Sequence, residues 1–157
     1  VLPDTMETLF CRINALLEEE HIKKSRISPS GSSSITNILD AIDTVSAKIA
    51  LAAYADKHSI PLISSMGTGN KLHPELFRIS DLKDTSVCPL CRVMRKELKT
   101  RGIQSLKVCW SPEKPLTPAP AEEDTGSSRA TPGSISFVPP AAGLMITGEI
   151  VRTICGL

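Results

Sequence analysis

The sequence has 157 residues, enough for one domain with a hydrophobic core, and a hydrophobic fraction of 41% excludes a disordered chain. The formal net charge of +1 indicates no partner by itself, so any basic surface must be local. Five cysteines, an odd number, without a signal peptide predict a reducing, cytoplasmic environment, and no apolar run is long enough to cross a membrane.

The first 34 residues are expected to form a lead-in to the main domain. Met6–Ile13 has a short apolar centre that favours a strand, and Asn14–Lys24 has the apolar spacing of a helix. Ser25–Ser34 is rich in Ser, with Pro and Gly, and is typical of a linker. We therefore predict a lead-in at 1–34 and the folded domain at 35–157.

A strand–helix–strand unit is predicted next. Ile35–Ile42 is nearly continuously apolar after Asn37, which is typical of a strand covered on both faces in a parallel sheet. Val45–Lys57 is rich in Ala and predicts a buried helix, and Ile60–Ser65 predicts the next strand. These elements fit a right-handed crossover unit, so the fold class is α/β.

The remaining elements are shorter. A glycine turn at Met66–Lys71 is followed by neither a GK[ST] sequence nor a helix start, so a plain turn is favoured over a phosphate loop. Further along we predict a short strand at Leu76–Ile79, an amphipathic helix at Pro89–Arg101, a strand at Ser105–Trp110, a proline-rich loop at Pro112–Gly133 that is flexible at 115–131, a strand at Ser134–Val138 and a closing helix at Ala141–Ile154.

Asp43 is the first candidate for chemistry, because it lies between the first predicted strand and the following helix. In an open α/β sheet, ligands bind beyond the carboxyl ends of the strands. A carboxylate there can hold Mg²⁺, which prefers a few hard oxygens together with substrate phosphates. The alternative is that Asp43 or Thr44 only caps the helix. Asp40 is expected to lie within the strand.

Cys88 and Cys91 form a CxxC motif at the start of a predicted helix, with Cys88 at the N-cap. The free amides and the helix dipole at that position lower a thiol pKa, so Cys88 is a candidate nucleophile. A redox pair, a metal site and an inert buried pair are the alternatives. A closed zinc site would need a second CxxC, whereas Cys109 and Cys155 stand singly, so zinc is not expected.

The same helix carries a run of basic residues. A solvated helix face explains most such runs, but a basic face can also follow a phosphate backbone. The residues concerned are Arg92, Arg95, Lys96, Lys99 and Arg101.

Four stretches together resemble one protein family. They are DAIDTVSAK at Asp40–Lys48, IPLISSMGTGNKL at Ile60–Leu72, DTSVCPL with RVMRKEL and RGI at Asp84–Ile103, and PGSISFVPPAAGLMITGEIVR at Pro132–Arg152. They resemble the ThiF-type, ubiquitin-activating-enzyme-like adenylating proteins and, within that family, the tRNA threonylcarbamoyladenosine dehydratases. The resemblance runs from Ile35 to Gly156, apart from Pro115–Thr131.

The resemblance implies a Rossmann-like three-layer sheet that binds ATP and Mg²⁺. Dehydratases of this family activate a carboxylate as an acyl-adenylate, and a ring then closes within the modified adenosine beside the anticodon. Asp43 matches the family's aspartate near the phosphates and Mg²⁺, with Thr44 and Lys48 at flanking positions. The resemblance also implies a homodimeric full-length protein, and it makes the basic helix an expected tRNA contact through Arg92, Arg95, Lys96 and Lys99.

The sequence also departs from the family pattern. The family's glycine-rich loop, its ribose-binding acidic residue and its basic phosphate contacts precede any stretch found here, so we expect an incomplete sheet without its N-terminal nucleotide-binding half. By itself the chain is expected to be inactive or nearly so. A catalytic cysteine used by some relatives matches either Cys88 or Cys109. A sulfur-carrier adenylating enzyme and a non-catalytic RNA- or protein-binding remnant are the alternative functions.

Overall fold

The structure is a computed structural model that describes residues 36–117 and 133–157. The predictions for Met6–Ile13, Asn14–Lys24 and Ser25–Ser34, and most of the loop predicted at 115–131, lie outside these residues. None of the helices in the described ranges is long and apolar enough to cross a membrane.

A strand–helix–strand unit opens the described fold. Strand β1 is Ile38–Asp40, helix α1 is Val45–Lys57 and strand β2 is Leu62–Ser65. The two strands are parallel neighbours, with Ile38 opposite Leu62. This arrangement confirms the predicted crossover unit. The helix has its predicted bounds, whereas both strands are shorter than predicted.

Two further strands complete a four-stranded sheet. Strand β3 is Arg78–Asp81 and strand β4 is Lys107–Trp110, with helix α2 at Pro89–Thr100 between them. The strand order is β1-β2-β4-β3, and β4 lies parallel to β2 and antiparallel to β3. Helix α2 ends as predicted near Gly102, whose φ of 76° is in the left-handed region that favours glycine after a helix.

The sheet lies between two helical layers. On one face, Ile49 of α1 and Met94 of α2 share a buried cluster with Val108 of β4. On the other face, helix α3, Val138–Cys155, buries Ala142 and Ile146 against Ile63 and Cys109. Adjacent residues of β4 thus point to opposite layers, as expected for a strand covered on both faces. The described residues form a three-layer α/β fold, as predicted.

Of two short predicted strands, the one at Leu76–Ile79 is displaced and the one at Ser134–Val138 is wrong. Leu76 closes a 3-10 turn at Pro74–Leu76, and the strand begins only at Arg78. The stretch predicted as strand Ser134–Val138 leads directly into α3, which begins at Val138. Pro139 and Pro140 fit the first turn of that helix, because the first amides of a helix have no intrahelical acceptor to lose. The alternation of apolar residues before them therefore belongs to a helix entrance.

Candidate functional site

The carboxyl ends of three parallel strands meet at one edge of the sheet. Strand β1 ends at Asp40, β2 at Ser65 and β4 at Trp110. Asp43 lies just beyond β1 and its side chain is exposed. The predicted position of Asp43, between the end of a strand and the start of α1, is therefore the position that the structure gives it. We call this region the carboxyl edge.

The start of α1 has no side-chain cap. Thr44 occupies the N-cap position, but its side chain makes no capping hydrogen bond. The Thr44 side chain therefore does not cap α1, contrary to one of the two interpretations of the sequence. The first amides of α1 keep their capacity to donate to an anion at the carboxyl edge.

A buried charged network lies directly beneath this edge. Asp40 is 1% exposed and Lys48 is 2% exposed, and the Lys48 Nζ lies 3.0 Å from the Asp40 Oδ2. Lys48 also donates to the Ser64 Oγ at 3.3 Å and to the Ser65 carbonyl at 2.8 Å. Asp40 accepts further hydrogen bonds from the Ser64 hydroxyl and from the Ile42 amide. The network therefore ties β1, β2 and α1 together.

Lys48 departs from the position expected of a nucleotide contact. Because its ammonium group is buried and paired, it does not reach the solvent-facing side of the carboxyl edge. The physical reason is Asp40: a carboxylate inside a two-sided strand needs a cation, and Lys48 is the cation that supplies it.

The glycine turn at Met66–Lys71 is held by other parts of the chain. The Asn70 amide donates to the Gly133 carbonyl at 2.8 Å, and the Asn70 carbonyl accepts from Leu116 at 2.8 Å. The Lys71 Nζ donates to the Glu113 carbonyl at 2.6 Å. These contacts support the prediction of a plain turn, since the Asn70 backbone and the Lys71 ammonium group are used within the protein.

Cys88 and Cys109 have opposite environments. Cys88 is the N-cap of α2, as predicted. The neighbouring Cys91 thiol and the amides of Cys91, Gly67 and Leu90 favour its thiolate and lower the pKa of Cys88 to about 5, although burial opposes them. Burial raises the pKa of Cys109 to about 11, and this thiol faces α3. Of these two thiols, Cys88 therefore has the character of a nucleophile and Cys109 does not.

The basic face of α2 is smaller than predicted. Arg92, Lys96 and Lys99 are exposed. Arg95 is half-buried and donates to the carbonyls of Thr85 at 2.7 Å and Leu82 at 3.3 Å, and to the Thr85 hydroxyl. Its guanidinium thus fastens the turn before α2 and is not available to a phosphate in this conformation.

No group of three or more His, Cys, Asp or Glu side chains converges on a common point within the part of the chain that the structure describes. Asp43 is therefore not part of a metal-binding cluster of three or more such side chains among these residues.

Sequence reasoning missed the role of Asp40 and Ser64. Both lie in strands predicted to be covered on both faces, and a charge there requires a partner. That requirement was the available signal, and Lys48 on the adjoining helix was the nearest basic residue in the sequence. The contact of Gly67 with Cys88 had no sequence signal, because it depends on how β2 and α2 pack.

Several curated proteins are similar in sequence, although no family model matches. The chain is 37% identical over 123 residues to tRNA threonylcarbamoyladenosine dehydratase of Bacillus subtilis, with 73% of this chain and 48% of that protein covered. It is 36% identical over 121 residues to tRNA threonylcarbamoyladenosine dehydratase 2 of Saccharomyces cerevisiae, which it covers to 27%. The chain thus spans about half the length, or less, of these relatives.

Solved structures show the same fold. Escherichia coli tRNA N6-threonylcarbamoyladenosine dehydratase, TcdA, in complex with AMP superposes with a TM-score of 0.64 at 25% identity, over 77% of this chain and 49% of that chain. The same enzyme in complex with ATP gives a TM-score of 0.64 at 21% identity, over 88% and 53%. The predicted resemblance is therefore confirmed: in sequence and in fold, this chain is similar to the C-terminal portion of tRNA threonylcarbamoyladenosine dehydratase, a ThiF-type adenylating protein.

Proposed function

We propose that this chain is the C-terminal part of an ATP-dependent tRNA threonylcarbamoyladenosine dehydratase that works in the cytoplasm. The named relatives support the reaction, and the ATP and AMP complexes of the E. coli enzyme support the nucleotide. One observation carries the proposal to this chain: the exposed Asp43 lies at the carboxyl edge, directly before α1, where ligands of open α/β sheets bind.

In this proposal, Asp43 and the start of α1 receive the phosphates. Asp43 would hold Mg²⁺, and Thr44 would add a hydroxyl that is not used as a cap. The free amides of α1 donate to phosphate oxygens, whose charge the helix dipole favours. When bound, Mg²⁺ supplies positive charge beside the phosphates. Lys48 acts indirectly, through the buried network that fixes the β1 end.

We propose that the described residues supply only part of the nucleotide site. The resemblance implies a glycine-rich loop, a ribose-binding acidic residue and basic phosphate contacts, none of which has a counterpart in the four matched stretches. Preorganised charges that face the phosphates carry much of the catalysis in such reactions. Activity therefore requires those contacts in addition to Asp43.

Cys88 is the proposed catalytic cysteine. It lies near Gly67, which follows β2 at the carboxyl edge, and its lowered pKa keeps the sulfur ionised at neutral pH. Cys109 is not proposed, because its thiol is buried towards α3 and its pKa is raised.

We propose tRNA as the macromolecular partner, bound in part by the exposed basic face of α2. That face is Arg92, Lys96 and Lys99, without Arg95. The full-length protein is also proposed to be a homodimer. Exposed apolar side chains on α3, at Leu144, Val151 and Ile154, support that proposal, since a partner subunit is the kind of surface that covers them.

Replacing Arg92, Lys96 and Lys99 together with alanine is expected to weaken tRNA binding by this chain. The slope of log affinity against log salt is negative, and each lost phosphate contact reduces its magnitude by about 0.7–0.9. The magnitude should therefore be smaller by about 2–3 in the triple variant. The measurement is fluorescence anisotropy with labelled tRNA over a salt series.

The matched control replaces three exposed basic residues elsewhere: Lys57, Arg78 and Lys114. It removes the same charge and should leave most of the slope intact. An equal loss in both triple variants would show that binding depends on net charge and would contradict a specific face.

If a longer, active protein binds and adenylates a carrier protein ending in Gly-Gly but not tRNA, the sulfur-carrier alternative replaces the dehydratase proposal.

A further inference from the structure

The start of α2 brings together two cysteine sulfurs that the proposed reaction does not use as a pair. Cys88 is the N-cap and Cys91 is the third residue of the helix. This spacing places both side chains on the same side of the first turn. The Cys91 thiol lowers the pKa of Cys88, and the Cys88 sulfur together with burial raises the pKa of Cys91.

We propose that Cys88 and Cys91 form a thiol–disulfide exchange site that takes small-molecule disulfides such as oxidised glutathione. Cys88 is the attacking sulfur and Cys91 is the resolving sulfur. The product is an intramolecular Cys88–Cys91 disulfide. This inference does not depend on ATP, Mg²⁺ or tRNA.

The structure separates the two roles. Cys88 is 3% exposed and directly follows the exposed Ser86 and Val87, whereas Cys91 is 0% exposed. Of these two buried residues, Cys88 is therefore the one nearer to solvent, and we assign it the first attack. Cys91 lies in the buried cluster that also contains Cys88 and Met94. It can attack only a sulfur that is already bound at Cys88.

The electrostatics of the two thiols agree with this order. The pKa of Cys88 is lowered to about 5, chiefly because the Cys91 thiol donates to its sulfur, with help from the amides of Cys91, Gly67 and Leu90. The Cys88 side chain makes no capping hydrogen bond, so the amides at the start of α2 act on its sulfur as oriented dipoles. The pKa of Cys91 is raised by its contact with the Cys88 thiolate. That cause disappears once Cys88 is covalently bound.

The exchange balances in two steps. The Cys88 thiolate attacks one sulfur of oxidised glutathione, the S–S bond breaks, and one glutathione leaves as a thiolate that takes a proton from water. Cys91 then loses its proton and attacks the Cys88 sulfur, which expels the second glutathione to take up that proton. The two protein thiols lose two electrons together, and one oxidised glutathione becomes two reduced glutathiones.

The test equilibrates the full chain in glutathione buffers of increasing oxidation, stops exchange with acid and alkylates the remaining thiols. Trypsin releases Cys88 and Cys91 together in the peptide Asp84–Arg92, so mass spectrometry separates the dithiol, the mixed disulfide and the intramolecular disulfide. We expect the intramolecular disulfide to become the main form. Exposed Cys155, which has no vicinal cysteine, should instead appear alkylated or as a glutathione adduct.

Two variants distinguish the roles. In Cys91→Ser, exchange should stop with glutathione on Cys88; in Cys88→Ser, Cys91 should acquire neither glutathione nor a disulfide. Cys91→Ala repeats the first test without a buried hydroxyl, in case serine impairs folding. The proposal is overturned if Cys88 and Cys91 stay fully alkylated in buffers that modify Cys155. It is also overturned if Cys88 in both folded Cys91 variants takes no glutathione.

Discussion

Replacing Lys48 with methionine is expected to lower the free energy of unfolding by about 3–5 kcal/mol. Methionine fills most of the space of the lysine stem, so packing changes little. The substitution instead removes the cation beside a carboxylate that is almost wholly buried. Asp40 then keeps only its neutral donors, Ser64 and the Ile42 amide. Chemical denaturation of the full chain measures the loss.

Two comparisons isolate the cause. Lys57→Met changes an exposed lysine in the last turn of the same helix and should alter stability by no more than about 0.5 kcal/mol. The double variant Asp40→Asn, Lys48→Met keeps an acceptor for the Ile42 amide but removes both charges. It should be more stable than Lys48→Met alone. The free energy of unfolding is also measured for Asp40→Asn alone. If the loss in the double variant equals the sum of the losses in the two single variants, Asp40 and Lys48 are not coupled in the folded protein.

Asp43→Ala is expected to abolish most ATP-dependent cyclisation in an active protein that contains this segment. A suitable host is a chimera in which residues 37–157 replace the matching portion of the B. subtilis dehydratase. Loss of one preorganised electrostatic contact costs about 10²–10³ in rate. Because Asp43 is exposed and Asp40 holds the turn, the variant should fold normally. The measurement is formation of the cyclised nucleoside in tRNA, by mass spectrometry.

The control is Asp56→Ala, which removes an exposed carboxylate from the other end of α1. It should retain the activity of the unsubstituted chimera, which must itself be active for the comparison to count. Undiminished cyclisation by the Asp43 variant would remove Asp43 from the nucleotide site. A loss of activity with raised Mg²⁺ requirement would instead support its role as an Mg²⁺ ligand.

Much of the fold could be predicted because local patterns agreed with the packing. The Ala-rich α1 and the amphipathic α2 have clear ends, and the parallel pair β1 and β2 follows from their apolar runs. The strand predicted at Ser134–Val138 failed because alternation over five residues does not distinguish a strand from a helix entrance. The two prolines that follow it are also compatible with a strand end, and only the structure places them in the first turn of α3.

The candidate site was predictable in part, for a similar reason. Asp43 could be placed from its position between two elements, and Cys88 from the proline that follows it. The partners of Arg95 could not, because its side chain turns back to the turn before α2, whereas Asp40 was a signal for Lys48 that the sequence-based prediction did not use. A helix pattern shows where a basic side chain leaves the backbone, but it does not show which oxygen the charged group contacts.

The most direct test of the shared nucleotide site is a calorimetric titration of this chain, alone, with ATP and Mg²⁺. Asp43 and the amides of α1 by themselves should give no saturable binding below about 1 mM, which corresponds to only about 4 kcal/mol of binding free energy. The active chimera, titrated in the same buffer, should bind at least tenfold more tightly. Micromolar binding of ATP by the chain alone would contradict the claim that it holds only part of the site.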